Sequence, residues 1–88
     1  MAYTVRIVRA ASLALNALPS AERKNLTERI ARLATDQRPP DSKAMRGSQL
    51  GHRRLRAGAY RAIYRIVDAQ ALVLVVDIGH RSSIYRST

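Results

Sequence analysis

Residues 53–86 read RRLRAGAYRAIYRIVDAQALVLVVDIGHRSSIYR, and the strand pattern within them decides the fold. Tyr60–Val67 and Leu72–Ile78 are rich in β-branched and aromatic residues, and Ala69-Gln70 between them marks a tight hairpin. Leu72–Ile78 is apolar on both sides except at Asp77, the pattern of a central strand. A shorter strand over about His52–Arg56 comes first, turned by Ala57-Gly58-Ala59. Gly79 is expected to let the chain bend before His80 and Arg81. Seven arginines and three of the four tyrosines fall in this stretch, so the cationic and aromatic side chains are set into strands rather than spread along a tail.

Upstream, Tyr3–Val8 alternates polar and apolar residues and reads as a short strand. Helix formers run from about Arg9 to Leu18, with Leu13, Ala17 and Leu18 on one side, and Pro19 breaks them. Ser20 is placed to cap a second helix whose first turn holds Glu22. That helix extends to about Thr35 and buries Leu26, Ile30 and Leu33 at i, i+4 and i+7. Asp36–Gln49, with Pro39-Pro40 and Gly47, is expected to be a loop. The element order is β-α-α-β-β-β. This predicts one α+β domain over residues 1–88: an N-terminal strand and a helical hairpin on one face of a small sheet that ends in a three-stranded antiparallel meander. The other face of the sheet stays open.

The chain has 88 residues and a formal net charge of +10. Residues 1–42 carry 7 basic and 4 acidic side chains, residues 43–88 carry 9 basic and 2 acidic, so the excess sits with the strands. Arginine outnumbers lysine 14 to 2, and guanidinium is the better fork for phosphate. Nucleic acid is the first partner class this implies; an acidic protein or an anionic lipid surface are the others. The chain contains no cysteine, which excludes disulfides and thiolate metal sites and fits a cytoplasmic setting. The N-terminus shows no signal-peptide apolar region, and the run Ala71–Val76 is too short to span a bilayer, so no membrane partner is expected. Two histidines without cysteine give no zinc constellation, and no P-loop, triad or carboxylate pair is present, so neither metal nor cofactor is expected.

Strand alternation places His52, Arg54 and Arg56 on one face and Arg53 and Leu55 on the other. Leu55 suits the core, which leaves the even-numbered side open. Four residues between Arg56 and Arg61 would pair the two arginines and gather Arg54, Arg56 and Arg61; a turn one residue shorter would separate them. The sequence leaves that register open. A two-residue turn at Ala69-Gln70 sets Arg61 opposite Ile78. It also places Ile63, Val67, Leu74 and Ile78 on Arg61's face, an apolar surface for the tail or a partner to cover.

Leu55-Arg-Ala-Gly-Ala-Tyr-Arg-Ala-Ile-Tyr64 and Gly79-His-Arg-Ser-Ser-Ile-Tyr-Arg86, with an apolar strand between them, resemble the RelE/ParE superfamily of type II toxins. The likeness extends over the whole chain, including the MAYTVRIV start and Lys43-Ala-Met-Arg-Gly47. In its RelE branch the resemblance implies a metal-independent endoribonuclease that cuts messenger RNA in the ribosomal A site, next to ribosomal RNA. The messenger's 2′-hydroxyl attacks the adjacent phosphate and leaves a 2′,3′-cyclic phosphate. By resemblance, Arg61 is assigned to the phosphate, Arg81 to the leaving group and Tyr85 to stacking on or orienting the nucleotide. Arg54 takes a catalytic strand position, and His52, Arg53, Arg56, Arg65 and His80 are candidates for RNA contact. RNases of this branch carry lysines where this chain has His52 and Arg54; arginine stabilises charge but is a poor base. The resemblance also implies an acidic, RelB-like antitoxin and a toxin–antitoxin hetero-oligomer.

Other readings remain at this point. A ParE-type toxin would inhibit DNA gyrase by protein binding without RNA chemistry, and a basic RNA-binding module would not cleave. Arg61 could instead form a structural ion pair with Asp77, and Tyr60 and Tyr64 could belong to the core.

Overall fold

The computed structural model describes residues 2–47 and 51–80. The strands are β1 (Thr4–Ile7), β2 (Lys43–Ala44), β3 (His52–Ala57), β4 (Tyr60–Val67) and β5 (Leu72–His80), and the helices are α1 (Arg9–Asn16) and α2 (Ser20–Ala31). They form one five-stranded sheet in the order β1-β5-β4-β3-β2, with β1 parallel to β5 and every other pair antiparallel. The α+β class and the central position of β5 are as the sequence pattern implies. Both helices pack on one side, α1 against β5 and α2 against β3 and β4. Among the described residues, no helix is long and apolar enough to cross a membrane.

The core lies between helices and sheet. It joins Ala11 and Leu15 of α1, Leu26 and Ile30 of α2 and Leu33 just beyond it to Leu55, Ala57, Ala62, Tyr64, Val73, Val75 and Ile78 from the strands. The stripe Leu26, Ile30, Leu33 is buried at 0–3 % exposure, as its spacing requires. In α1 the expected side holds only in part: Leu18 packs against the core, but Leu13 and Ala17 do not. Leu13 is 59 % exposed, while Ala11 and Leu15 point inward. The helix follows β1 after Val8, whose amide bonds the Val75 carbonyl at 3.0 Å. That bond fixes the phase at which the helix leaves the sheet, and Ala11 and Leu15, four apart, fall on the buried side.

Ser20 is not a cap either. The capping position is Pro19, whose carbonyl accepts the Arg23 amide at 2.9 Å, and no side chain caps the helix. Past α2 a 3₁₀ turn over Arg32–Ala34 continues the path to Thr35. Gln37 Nε2 then donates to the Leu33 and Ala34 carbonyls, both at 3.0 Å, satisfying groups that a helix end leaves without partners. Tyr64, fully buried, donates its hydroxyl to the Gln37 carbonyl at 2.9 Å, so a core aromatic anchors this loop.

Three further expectations change. Within Asp36–Gln49 the chain forms the edge strand β2, two residues long, pairing Lys43 with Arg54 and Ala44 with Arg53. Two residues are too few to show a period. The β4–β5 connection is a 3₁₀ turn over Asp68–Gln70 followed by Ala71 in the left-handed region (φ 48°), though Val67 still pairs with Leu72. Gly79 does not bend the chain: β5 continues to His80 with Gly79 paired to Arg61.

On the surface, Asp68 at this turn accepts the Tyr3 hydroxyl at 2.7 Å and the Arg38 guanidinium at 3.1 Å, tying together the start of β1, the loop after α2 and the β4–β5 turn. The Tyr3 hydrogen bond, then that of Arg38, holds the Asp68 carboxyl below its ordinary value. The same bond to Asp68 raises the Tyr3 phenol. Because Asp68 is lowered on folding, its contribution is present above the unfolded pKa and lost as pH falls through the folded one. Asp68→Asn is therefore expected to lower Tm at neutral pH and to narrow the gap from wild type as pH falls below the usual carboxylate range, read by thermal melts across pH. Tyr64→Phe is expected to lower unfolding stability by about 1–2 kcal/mol through loss of its buried bond, measured by denaturant titration.

Candidate functional site

The sheet face away from the helices is set by two local events. The first is the β3–β4 turn. Gly58 adopts φ +61°, a conformation natural to glycine, and Ala57 pairs with Tyr60. Arg56 is therefore directly opposite Arg61, and Arg54 is opposite Ile63, the register that gathers the three arginines. Directly opposed residues have Cβ atoms about 4.5–5.5 Å apart, and like charges there repel, so an anion seated between them is stabilising.

The second event is a β-bulge. Tyr64 pairs with Val75 but Ile63 pairs with Asp77, so β5 carries one extra residue at Val76. The bulge reverses the phase of the strand end. Ile78, expected beside Arg61, turns into the core at 3 % exposure and pairs with Ala62. Asp77 turns onto the open face beside Ile63, and Gly79 stands opposite Arg61.

Arg61 is only 5 % exposed, Arg54 and His52 are half-buried, and Arg56 and Arg65 are exposed. Arg54, Arg61 and His80 each have an interaction partner within the chain. The alternative Arg61–Asp77 ion pair is absent: half-buried Asp77 makes no hydrogen bond or ion pair among the described residues. His52 shares the face, opposite Arg65, and its Nδ1 is buried without a hydrogen-bond partner there.

Two cations that the sequence reading passed over join this face. Lys43 pairs with Arg54 and so points to the same side, exposed at the sheet edge. Arg6 pairs with Leu74 through the parallel β1–β5 ladder and is exposed too. Alternation within Tyr3–Val8 carried a signal for Arg6, but its side depended on the parallel register; nothing marked Lys43 as a strand residue. The described open face thus holds Lys43, Arg54, Arg56, Arg61, Arg65 and Arg6 around the single carboxylate of Asp77.

Other candidates lie elsewhere. Arg53 is on the helix side, with Nε and Nη2 donating to Ser42 Oγ at 3.2 and 2.9 Å, so it holds the loop before β2. His80, at the end of β5, pairs with Tyr60 on the side opposite Arg61, and the rings meet edge-on at 5.6 Å. Arg81 and Tyr85, and the tail expected to cover the apolar part of this face, lie outside the described residues.

The sequence profile of a family described as the ParE toxin of type II toxin-antitoxin system, parDE, matches residues 6–85. The chain belongs to this toxin family. Its fold is that of solved RelE toxins, which places it in the wider RelE/ParE superfamily. It is similar to a chain of the RelBE2 toxin–antitoxin complex from Mycobacterium tuberculosis at 29 % identity, covering 92 % of this chain and 100 % of that one with a TM-score of 0.80. The archaeal RelE–RelB complex from Pyrococcus horikoshii gives 26 % identity, 92 % and 97 % coverage and 0.79. A mutant of Escherichia coli RelE in the free state gives 26 %, 99 % and 93 %, and 0.78. No curated protein matches the chain.

Arg53 and Arg56 neighbour one another in sequence terms but serve opposite faces, which separates stability from toxicity. Arg53→Ala is expected to lower the denaturation midpoint by about 1 kcal/mol equivalent while the toxin still arrests growth when expressed without a partner. Destabilisation smaller than the assay error would remove the role given to the Ser42 contact.

Proposed function

We propose that this toxin is a metal-independent endoribonuclease that cleaves messenger RNA on the ribosome, in the cytoplasm, as one domain over residues 1–88. The observation that carries the reading is the register that sets Arg56 opposite Arg61 with Arg54 on the same face. A nearly buried guanidinium flanked by two more on the neighbouring strand is a pre-arranged seat for a phosphate whose charge grows in the transition state. In this reading Arg61 holds the scissile phosphate, Arg54 and Arg56 stabilise the phosphorane, and Lys43, Arg65 and Arg6 attract the rest of the strand. Arg81 then serves the leaving oxygen and Tyr85 stacks on a base. The relatives solved as RelE–RelB and RelBE2 complexes support an antitoxin of RelB type as the partner. The net charge of +10 calls for an acidic one.

A second reading is favoured by one finding: the matching family is described as ParE rather than RelE. A gyrase-binding toxin would use the same cationic face against protein and would cut no RNA.

Expression without a partner, with mapping of transcript 5′ ends, separates the two. Cuts confined to translated messages are expected; intact messages with a DNA-damage response would favour gyrase and end the RNase reading. Arg61→Ala should relieve growth arrest and lower cleavage by about 10²–10³-fold, as does removal of one donor to a developing oxyanion. On single-stranded RNA, Arg56→Gln should reduce the slope of log affinity against log salt by about 0.7, the share of one phosphate contact.

A further inference from the structure

Cleavage by a 2′-hydroxyl needs a group that accepts its proton, and the arginines of this face cannot, because guanidinium does not lose its proton in proteins. We propose that Asp77 is the general base, receiving the proton of the attacking 2′-hydroxyl beside the phosphate held by Arg61. The inference rests on the RNase reading above and assigns a step of it.

Three observations lead to Asp77. The bulge at Val76 brings it to this face; without the extra residue it would point into the core and Ile78 would stand in its place. Bulges are enriched next to active sites, where they re-aim a side chain. Next, Gly79 is directly opposite Arg61, so Asp77 is Arg61's diagonal neighbour, roughly 7–8 Å away along the ladder. Carboxylate and guanidinium form no ion pair across that separation, which suits a ribose and phosphate lying between them. Finally, Asp77 is half-buried yet has no hydrogen bond or ion pair among the described residues, so no described residue occupies its oxygens.

The competing groups among the described residues of the face are farther from Arg61. Lys43 is on β2, two strands from Arg61, roughly 10 Å at the usual spacing. His52 is at the far end of β3, four residues from Arg56, roughly 13 Å along the strand. The charged groups facing Asp77 are Arg61 on β4 and, one strand beyond, Arg54 and Arg56 on β3; on its other side β1 offers Arg6, opposite Leu74.

In the step, Asp77 takes the 2′-hydroxyl proton as the 2′-oxygen bonds to phosphorus. The bond from phosphorus to the 5′-oxygen breaks, that oxygen leaves with the electron pair, and water protonates it. The products are a 2′,3′-cyclic phosphate and a 5′-hydroxyl, and the hydroxide left from water recovers the proton from Asp77.

Asp77→Asn tests this by separating binding from chemistry. Single-turnover cleavage of a ribosome-bound message should fall about 10²–10⁴-fold, the usual share of a general base. Affinity for the same RNA carrying 2′-O-methyl groups should stay equal or tighten, since a negative charge leaves a cationic face. The bend that ends the acid limb of the wild-type pH–rate profile should disappear, leaving the variant's rate rising log-linearly with pH, and Asp77→Glu should restore part of the rate. Cleavage by Asp77→Asn within threefold of wild type, or a retained bend in its pH–rate profile, overturns the assignment. Should Asn fail to fold in a thermal melt, Asp77→Ser is judged by the same criteria. A wild-type chain that binds no RNA and cuts none sinks the RNase reading itself, a different outcome from normal cleavage by the variant.

Discussion

Gly58 at φ +61° and Ala59 close β3 onto β4 with Ala57 opposite Tyr60, and this pairing fixes the side of the sheet that every neighbouring residue occupies. A slip of one residue would exchange the faces. Leu55, at 1 % exposure, would leave the core, and Arg54 and Arg56 would point into it. The burial of Leu55, Ala57 and Tyr64 thus enforces the arrangement of the arginines: hydrophobic burial holds like charges together that would otherwise separate. Stability resides on one side of the sheet, and the cost of assembling charge is carried on the other.

The bulge in β5 divides that strand between two tasks. From Leu72 to Val75 it alternates in step with β4, and its inward residues Val73 and Val75 complete the core. Beyond Val76 the phase is reversed, so the same strand delivers Ile78 to the core and Asp77 to the open face. The pairing of Gly79 with Arg61 and the diagonal carboxylate both follow from one added residue. Between family members that share this fold, such a displacement can alter the chemistry of a face while the core stays packed.

Much of this was legible in the sequence where a period is long enough to read. The stripe of α2, the central position of β5 and the split of β3 into Arg54 and Arg56 against Arg53 and Leu55 each follow from spacing alone. The failures share a physical origin in contacts distant along the chain. The face of α1 is set by the Val8 amide reaching Val75, not by the helix's own pattern. β2 exists because Arg53 and Arg54 offer a ladder to Lys43 and Ala44. The bulge leaves no local signature in an unbroken apolar run, so the sequence pattern sets Arg61 opposite Ile78 rather than Gly79.

The parallel pairing of β1 with β5 bears on when this molecule can become a toxin. β5 is the middle of the sheet, yet it is the last of the described strands to leave the ribosome, and β1 pairs with nothing else. A nascent chain that has exposed only residues 2–67 has helices and a β3–β4 hairpin but neither a central strand nor a partner for its first one. Assembly waits on a contact spanning most of the chain, and such long-range closure is slow. The sheet, and with it the cationic face, is therefore incomplete until β5 has emerged.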